Sequence, residues 1–328
     1  MDELIRLLSY FVGIAAFLGF NLAYLGWVER KGAGHIQRRN GPKEVGPYGL
    51  LQPLADGLKL MSKQLVVPAA ADKPLFMCAP VLAMVPAVLL FVVIPFGDGL
   101  VPRQFNSGLL MMFAFASVAV LSILMAGWGS GNKYSLIAGT RAVSQNIAFE
   151  IPMLITAITI VMITGTLDLS EIVRYQDGGF WRWNIFRLDK SILMPASFLI
   201  FYICSMAETN RAPFDLGEAE SELVAGYHTE YGGMGFGLFM MAEYANLVIG
   251  CSLTTILFLG GWQSPFGILP DGPHWFFLKM YFLVWCFVWM RWTFPRVTLW
   301  GLLNLSWKYL IPFSLVNLLL TALFIKVF

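Results

Sequence analysis

Charged residues are scarce in this sequence of 328 residues, which has 22 Lys and Arg and 20 Asp and Glu, together 13% of the chain. Soluble proteins carry about 25% charged residues, and this chain has too few to cover a soluble core of its size. The formal net charge of +2 is also too small for a surface that binds nucleic-acid phosphates. These shortages exclude an ordinary soluble enzyme, a disordered chain and a nucleic-acid-binding protein. A membrane protein remains.

Clusters of metal-binding side chains are missing as well. The three histidines have no ligand spacing, and no CxxC pair occurs. The four cysteines lie far apart in apolar runs: Cys78, Cys204, Cys251 and Cys286. The sequence therefore predicts no disulfide framework, no metal site and no iron–sulfur cluster bound by this chain.

Long hydrophobic runs are what the sequence does contain, with 58% of its residues hydrophobic. A helix needs about 20 mostly apolar residues to cross about 30 Å of hydrocarbon. The runs are uniformly apolar, which predicts an all-α polytopic membrane protein with a single membrane domain over residues 1–328. Eight spans are predicted: 7–27, 75–96, 108–128, 142–163, 192–207, 237–260, 275–294 and 307–328.

The distribution of Lys and Arg predicts the orientation. Loops 28–74, 129–141, 208–236 and 295–306, with their flanking helix ends, carry 14 of them against seven on the opposite side. Because positive charge favours the cytoplasmic side, we expect the first and third loops there and both termini on the outer side.

The first cytoplasmic loop, 28–74, is predicted to contain an amphipathic helix at 53–65. Its apolar face would be formed by Leu54, Leu58, Met61 and Leu65. Its opposite face would be charged, with Asp56, Lys59 and Lys63. A stripe this short cannot span the bilayer, so the helix should lie at the membrane surface or cap a cavity. The alternative is a surface helix that only anchors the loop.

Acidic residues occur where a membrane makes them costly. Glu150 lies in the fourth predicted span and Glu243 in the sixth, and carboxylates at such depth are functional candidates by default. The alternative is that they are neutral or paired acids that hold helices together.

The third loop, 208–236, adds six acids: Glu208, Asp215, Glu218, Glu220, Glu222 and Glu230. Crowded acids raise each other's pKa, so some can exchange protons near neutral pH. The loop therefore looks like the mouth of a proton path, with Arg211 as the expected partner of the nearest carboxylates. If residues 215–222 are helical, Asp215, Glu218 and Glu222 share one face.

The loop motifs resemble those of a known family, the membrane subunit of respiratory complex I that is designated H in bacteria and 1 in mitochondria. The similar segments follow the same order along nearly the whole chain: ERK at 29–31, QRRNGP at 37–42, GPYGLLQP at 46–53, AD at 55–56 with Lys59, NKY at 132–134 with Arg141, FE at 149–150, ETNRAPFDLGEAESELVAGY at 208–227 and AEY at 242–244.

The resemblance implies a subunit of a proton-translocating NADH–quinone oxidoreductase that forms the quinone chamber and an acidic coupling path. Quinone would be the substrate, and this chain would bind no redox cofactor, since iron–sulfur clusters and FMN belong to partner subunits. The implied partners are peripheral-arm subunits with the terminal iron–sulfur cluster and the quinone-reduction site, small membrane-arm subunits, antiporter-like subunits and membrane lipids.

The resemblance also implies two sets of site residues. The quinone-binding set is Glu29, Arg30, Arg39, Asp56, Lys59, Arg211, Phe214 and Arg291. The proton-coupling set is Glu150, Glu208, Asp215, Glu218, Glu220, Glu222, Glu230 and Glu243.

Two departures from the family pattern point to the cytoplasmic membrane of a bacterium or archaeon. Gln64 stands where an acid is usual, and residues 297–301 lack an Arg and an Asp that usually follow Pro295 and Arg296. Two other functions stay open: a related ion-translocating subunit of a membrane-bound hydrogenase or of a ferredoxin- or F420-linked complex, and a stand-alone transporter. The intact first-loop motif favours quinone, and the lack of an inverted repeat argues against the transporter.

Overall fold

The computed structural model describes residues 2–101, 103–218, 220–267 and 269–327, and no β-strand occurs among them. The α-helices, in chain order, are α1 Asp2–Ile36, α2 Gln52–Ser62, α3 Lys73–Leu90, α4 Gly108–Gly129, α5 Lys133–Thr164, α6 Leu169–Tyr175, α7 Met194–Glu208, α8 Glu220–Leu223, α9 Gly233–Phe258, α10 Pro273–Thr293, α11 Leu299–Asn304 and α12 Ile311–Val327. A π-helical segment, Leu305–Leu310, joins α11 to α12.

Six helical segments of the described chain are long and apolar enough to cross a membrane: Ser9–Ile36, Lys73–Leu90, Gly108–Gly129, Lys133–Thr164, Gly233–Phe258 and Leu299–Val327. They confirm an all-helical integral membrane chain. Helices also stand at the fifth and seventh predicted runs, where α7 has 15 residues and α10 has 21. Because these two are not among the six, the count of eight spans stays a prediction.

Helix α5 begins at Lys133, well before the predicted start at 142. Its first turn is capped by Asn132, whose side chain accepts a hydrogen bond from the backbone N–H of Tyr134 at 2.9 Å. One face of the polar beginning of α5 is buried, and there the Ser135 hydroxyl donates to the Gly226 carbonyl of the third loop at 3.2 Å. A search for apolar runs misses such a segment because its partners are protein and not lipid.

The interior of α5 contains Pro152, which has no backbone N–H to offer the carbonyl of Ala148 one turn earlier. The hydroxyl of Ser306, in the π-helical segment, donates a hydrogen bond to that carbonyl. The freed backbone acceptor is thereby satisfied, as a buried carbonyl must be. This contact ties the last helical segment to α5 beside Glu150.

Helix α2 stands where the amphipathic helix is predicted, but it ends at Ser62 and not at 65. It packs on the start of α9, because a Cβ built on Gly237 would lie 3.3 Å from the Leu60 side chain. The apolar stripe of α2 faces outward, with Leu54, Leu58 and Met61 exposed by 58%, 68% and 67%. Whether this stripe lies at a membrane surface stays a prediction.

Candidate functional site

A buried cluster of charged side chains forms where α1, α9 and the third loop meet. At its centre is Arg211, which is 3% exposed. Its guanidinium nitrogens lie 3.2 Å from Oε2 of Glu29 and 2.9 Å from Oε2 of Glu243. The same group stacks 4.1 Å from the centre of the Tyr244 ring. Although burial favours the neutral form, the nearby carboxylates raise the pKa of Arg211, so it stays charged.

The carboxylate of Glu29 accepts from three partners. Arg211 contacts Oε2, where the Tyr244 hydroxyl also donates at 2.8 Å, and Arg291 of α10 contacts Oε1. Glu29 is 6% exposed, and a buried carboxylate is stable only when it is paired and hydrogen-bonded. Three members of the predicted quinone set, Glu29, Arg211 and Arg291, are thus joined through one carboxylate.

The expectation that Arg211 pairs with the carboxylates nearest in sequence is wrong. Its acidic partners are Glu29 and Glu243, the first of them 182 residues away along the chain. Asp215 pairs instead with Arg296, at 3.1 Å. The packing of α1 and α9 around the loop decides these pairs, and sequence proximity does not.

A second group of contacts surrounds the other oxygen of Glu243. The Tyr227 hydroxyl donates to Oε1 at 3.0 Å, and Nε2 of His228 lies 3.4 Å from the same atom. Nε2 also lies 3.1 Å from Oε1 of Glu218. Burial, then the charge of Glu243, raises the pKa of Glu218 to about 7 despite the contact with His228. Burial lowers the pKa of His228, but hydrogen bonds to Glu218 and Glu243 outweigh it and raise that pKa to about 9.

The stretch from Asp215 to Glu218 is not helical, so the condition for a shared helical face with Glu222 is not met. Oδ1 of Asp215 accepts the backbone N–H of Glu218 at 3.2 Å, and its Oδ2 binds Arg296. Burial raises the pKa of Asp215, although Arg296 opposes that shift. These contacts stabilise a turn in place of a helix.

Three predicted acids lie outside the buried cluster or outside the described side chains. Glu222, with its side chain 61% exposed, pairs with Arg141 at 2.6 Å. Glu230 accepts from the Asn132 amide at 2.7 Å. The side chain of Glu220 lies outside the described part of the structure.

A cavity of about 60 Å³ has both Glu243 and Glu208 in its lining. Because a water molecule occupies about 30 Å³ in the liquid, the cavity has room for about two waters. Its polar lining includes Asn146 and Tyr227. Glu150 lies beyond it, where it accepts from the Ser117 hydroxyl at 2.5 Å and interacts electrostatically with Glu208. The membrane acids therefore form a series from Glu243 through Glu208 to Glu150.

The rest of the predicted quinone set lies at the surface of the first loop or in the core. Asp56 accepts from Arg30 at 2.6 Å and lies 3.6 Å from Lys59. Burial alone would raise the pKa of Asp56, but the hydrogen bonds from Arg30 and Gln52 and the positive charges of Arg30 and Lys59 together lower it. Arg39 is exposed and contacts Gln37 at 2.6 Å. Phe214 is buried, with its ring centre 5.8 Å from that of Phe149.

One trio in the described part of the chain has the spacing of metal ligands. The ligand atoms of Glu218, His228 and Glu243 all lie within 4.8 Å of one another. Arg211 already supplies a positive charge to Glu243, and the contacts within the trio have hydrogen-bond lengths. This arrangement is that of side chains that share protons, and we do not assign a metal to it.

Several residues of this cluster are not among those predicted from the sequence. The lack of ligand spacing among the histidines gives no reason to select His228. Tyr227 and Tyr244 lie within the family motifs, and Arg296 lies in a family pattern, but neither predicted set of site residues includes them. Their positions in the sequence could have indicated them, since Tyr227 and His228 continue the acidic segment and Tyr244 follows Glu243 directly. Titratable side chains next to buried acids are candidates for their hydrogen-bond partners.

The chain is similar to known proteins over nearly its whole length. The family model described as NADH dehydrogenase matches residues 9–322. The H-type subunit of NADH-quinone oxidoreductase from Desulfotalea psychrophila is 64% identical over 99% of this chain and 98% of the relative. The H-type subunit from Dehalococcoides mccartyi is 43% identical over 98% of this chain and 87% of the relative. The H-type subunit from Rhodospirillum centenum is 44% identical over 92% of this chain and 88% of the relative.

Proposed function

Since the chain belongs to the family of the H-type subunit of NADH-quinone oxidoreductase and is a membrane subunit of that enzyme complex, we propose that its buried cluster couples quinone reduction to proton movement. Glu29, Arg211 and Arg291 form the side of the cluster that senses the quinone. Glu243 and Glu218 form the side that exchanges protons. The relatives' names favour this function over the hydrogenase-linked and transporter alternatives.

The quinone enters from the bilayer between α1, α9 and α2. Helix α2 leaves Leu54, Leu58 and Met61 exposed, and such a face suits the hydrophobic tail of a quinone. Arg30, Asp56 and Lys59 form a charged group on the same loop. The quinone then reaches the buried Glu29 and Arg291, next to the peripheral-arm subunit that supplies electrons.

The observation that carries the proposal is the double contact of Arg211. One guanidinium binds Glu29, on the quinone side, and Glu243, on the proton side. Two unit charges 4 Å apart interact by about 4 kcal/mol at an effective dielectric constant near 20. An interaction of that size changes the pKa of a neighbouring acid by about three pH units. A change of charge at the quinone therefore alters the proton affinity at Glu243 through Arg211.

The proton path continues from Glu243 across the cavity to Glu208 and then to Glu150. Water in the cavity links the first two acids, which are both in its lining. From Glu150 the path leads to the antiporter-like subunits of the membrane arm. With eight spans and both termini on the outer side, the acidic third loop lies on the cytoplasmic side and faces the peripheral arm.

The test is Glu243→Gln in the assembled complex. We expect quinone reductase activity to fall at least tenfold and proton pumping per NADH to fall with it, because Arg211 loses one of its two charged partners. The matched control is Asp98→Asn, which removes an acid from an exposed pair with Arg174 (2.8 Å) outside the cluster. NADH oxidation and acidification are measured in inverted vesicles, with assembly checked on native gels. Fully coupled turnover in the Glu243 variant would overturn the proposal.

A further inference from the structure

His228 stands between two acids that come from different segments of the chain. Glu218 belongs to the third loop and Glu243 to α9. A single ring nitrogen, Nε2, lies 3.1 Å from one carboxylate and 3.4 Å from the other. The two carboxylates also lie close to each other, since the ligand atoms of Glu218, His228 and Glu243 are all within 4.8 Å of one another. The imidazole therefore stands against both acids at the point where they approach.

The surroundings of His228 keep bulk water away from this link. The residue is 4% exposed, and the rings of Phe236 and Phe239 have centres 5.5 and 5.0 Å from the imidazole. The titratable and charged groups that face it are Glu218, Glu243 and Tyr227, with Arg211 on the far oxygen of Glu243. A proton that crosses this point must pass through side chains.

The other ring nitrogen takes no part in proton exchange. Nδ1 is buried and has no hydrogen-bond partner in the described part of the protein. Because no neighbouring group can give a proton to Nδ1 or accept one from it, its protonation stays the same in the charged and neutral forms. Nε2, in contrast, lies 3.1 Å from Glu218 and 3.4 Å from Glu243, so it is the nitrogen that can gain and lose a proton.

We infer that His228 carries protons between Glu218 and Glu243, an inference that rests on the proposed coupling function. The proton on Nε2 of the charged imidazole moves to Oε1 of Glu243, and the imidazole becomes neutral. The carboxyl proton of Glu218 then moves to Nε2, which restores the charged imidazole and leaves a carboxylate on Glu218. Nδ1 keeps its proton throughout, and no group is oxidised or reduced. The pKa of Glu218, raised to about 7, lies in the physiological range, and the pKa of His228, raised to about 9, keeps the resting imidazole charged.

The test replaces His228 by a side chain that donates a hydrogen bond but cannot take up a proton. His228→Asn and His228→Gln each retain an amide donor toward the acids. We expect proton pumping per NADH to fall about tenfold in assembled complex, and the alkaline limb of its pH profile to disappear. His274→Asn, in a histidine at the start of α10, is the control and should behave as wild type.

Glu218→Gln tests the same relay even if the His228 variants fail to assemble, because it removes the acid that supplies a proton to Nε2. It should give the same loss, and the double variant with His228→Asn should lose no more than either single variant. Wild-type pumping with an unchanged pH profile in these variants would refute the relay. If Glu243→Gln still abolishes pumping in the same assay, only the relay fails. If it does not, the proposed function fails too.

Discussion

At the scale of single residues, Arg211 makes the contacts on which the candidate site depends. Its guanidinium has donors directed toward Glu29 and toward Glu243, whose Oε2 it reaches with two of its nitrogens. A planar fork of this kind holds two carboxylates in a defined relative position, which a compact ammonium cannot do. Removing the charge would leave two buried carboxylates short of a partner.

Arg211→Lys should lower quinone reductase activity at least tenfold although the charge is retained. The lysine ammonium is compact and lacks the planar fork, so it cannot reproduce at once the contacts that the guanidinium makes with Glu29 and Glu243. The matched control is Arg174→Lys, because Arg174 forms an exposed pair with Asp98 and its side chain is 57% exposed. NADH:quinone activity is measured in membranes with equal amounts of assembled complex. Wild-type activity in the Arg211 variant would show that charge alone suffices.

The pair of Glu218 and His228, of which the histidine is buried, predicts a loss of stability as pH rises. The pKa of His228 is about 9 in the folded chain against 6.5 for the unfolded group, so its contribution is complete below 6.5 and is lost as pH rises through 9. The contribution of Glu218 has the same sign and is lost between 4.5 and about 7.

The thermal midpoint of the purified complex should therefore fall between pH 6.5 and 9, and His228→Asn should reduce that slope. Differential scanning fluorimetry at several pH values compares the variant with wild type and with His274→Asn. Equal slopes in all three proteins would contradict the assignment of this titration to His228.

At the scale of elements, the contact between α5 and the π-helical segment determines how Glu150 is presented. Pro152 interrupts the hydrogen bonding of α5 two residues after Glu150, and Ser306 satisfies the carbonyl that this leaves free. A π-helical segment widens the helix locally and shifts the side chains that follow. The contact between the Pro152 and Ser306 regions thus stabilises a local departure from regular helix beside Glu150, a residue of the predicted proton-coupling set.

Ser306→Ala should destabilise the chain by about 1–3 kcal/mol, because the Ala148 carbonyl would remain buried without its donor. Ser314→Ala in α12 is a suitable control, since the Ser314 hydroxyl donates at 2.8 Å to Ile311 of its own helix. The thermal midpoint of the complex and its pumping ratio are the measurements. Equal midpoints for the two variants would mean that another group or water replaces the hydroxyl.

At the scale of the whole molecule, the fold brings distant segments to one site and leaves apolar surface outside it. The cluster combines α1, the third loop, α9 and α10, which carry Glu29, Arg211, Glu243 and Arg291. The exposed face of α10 carries a stacked ladder in which the rings of Trp285 and Trp289 lie 5.6 Å apart. Such a surface suits lipid and neighbouring membrane subunits.

Labelling of introduced cysteines should verify the orientation. A cysteine at Lys43, exposed in the first loop, should react with an impermeant thiol reagent only in inverted vesicles. A cysteine at Asp177, exposed on the opposite side by the predicted topology, should react in intact cells. Each variant is made with Cys78 replaced by alanine, because Cys78 is the exposed native cysteine among the four. The reverse labelling pattern would place the termini on the cytoplasmic side.

The class of protein and the helix content were predictable from the sequence because hydrophobicity acts locally and accumulates along a run. Glu150 and Glu243 could be selected as candidates for the same reason, since a charge within an apolar run is costly wherever the run packs. The start of α5 and the irregular turn at Asp215 were not predictable, because protein contacts replace lipid or helix there.

The sequence by itself determined that this chain enters a membrane as helices and carries acids into it. Only the tertiary structure decided that Arg211 joins Glu29 to Glu243 and that His228 lies between Glu218 and Glu243. Ion pairs and hydrogen bonds act over a few ångströms and depend on how helices rotate and pack. No local pattern encodes a contact between side chains 182 residues apart.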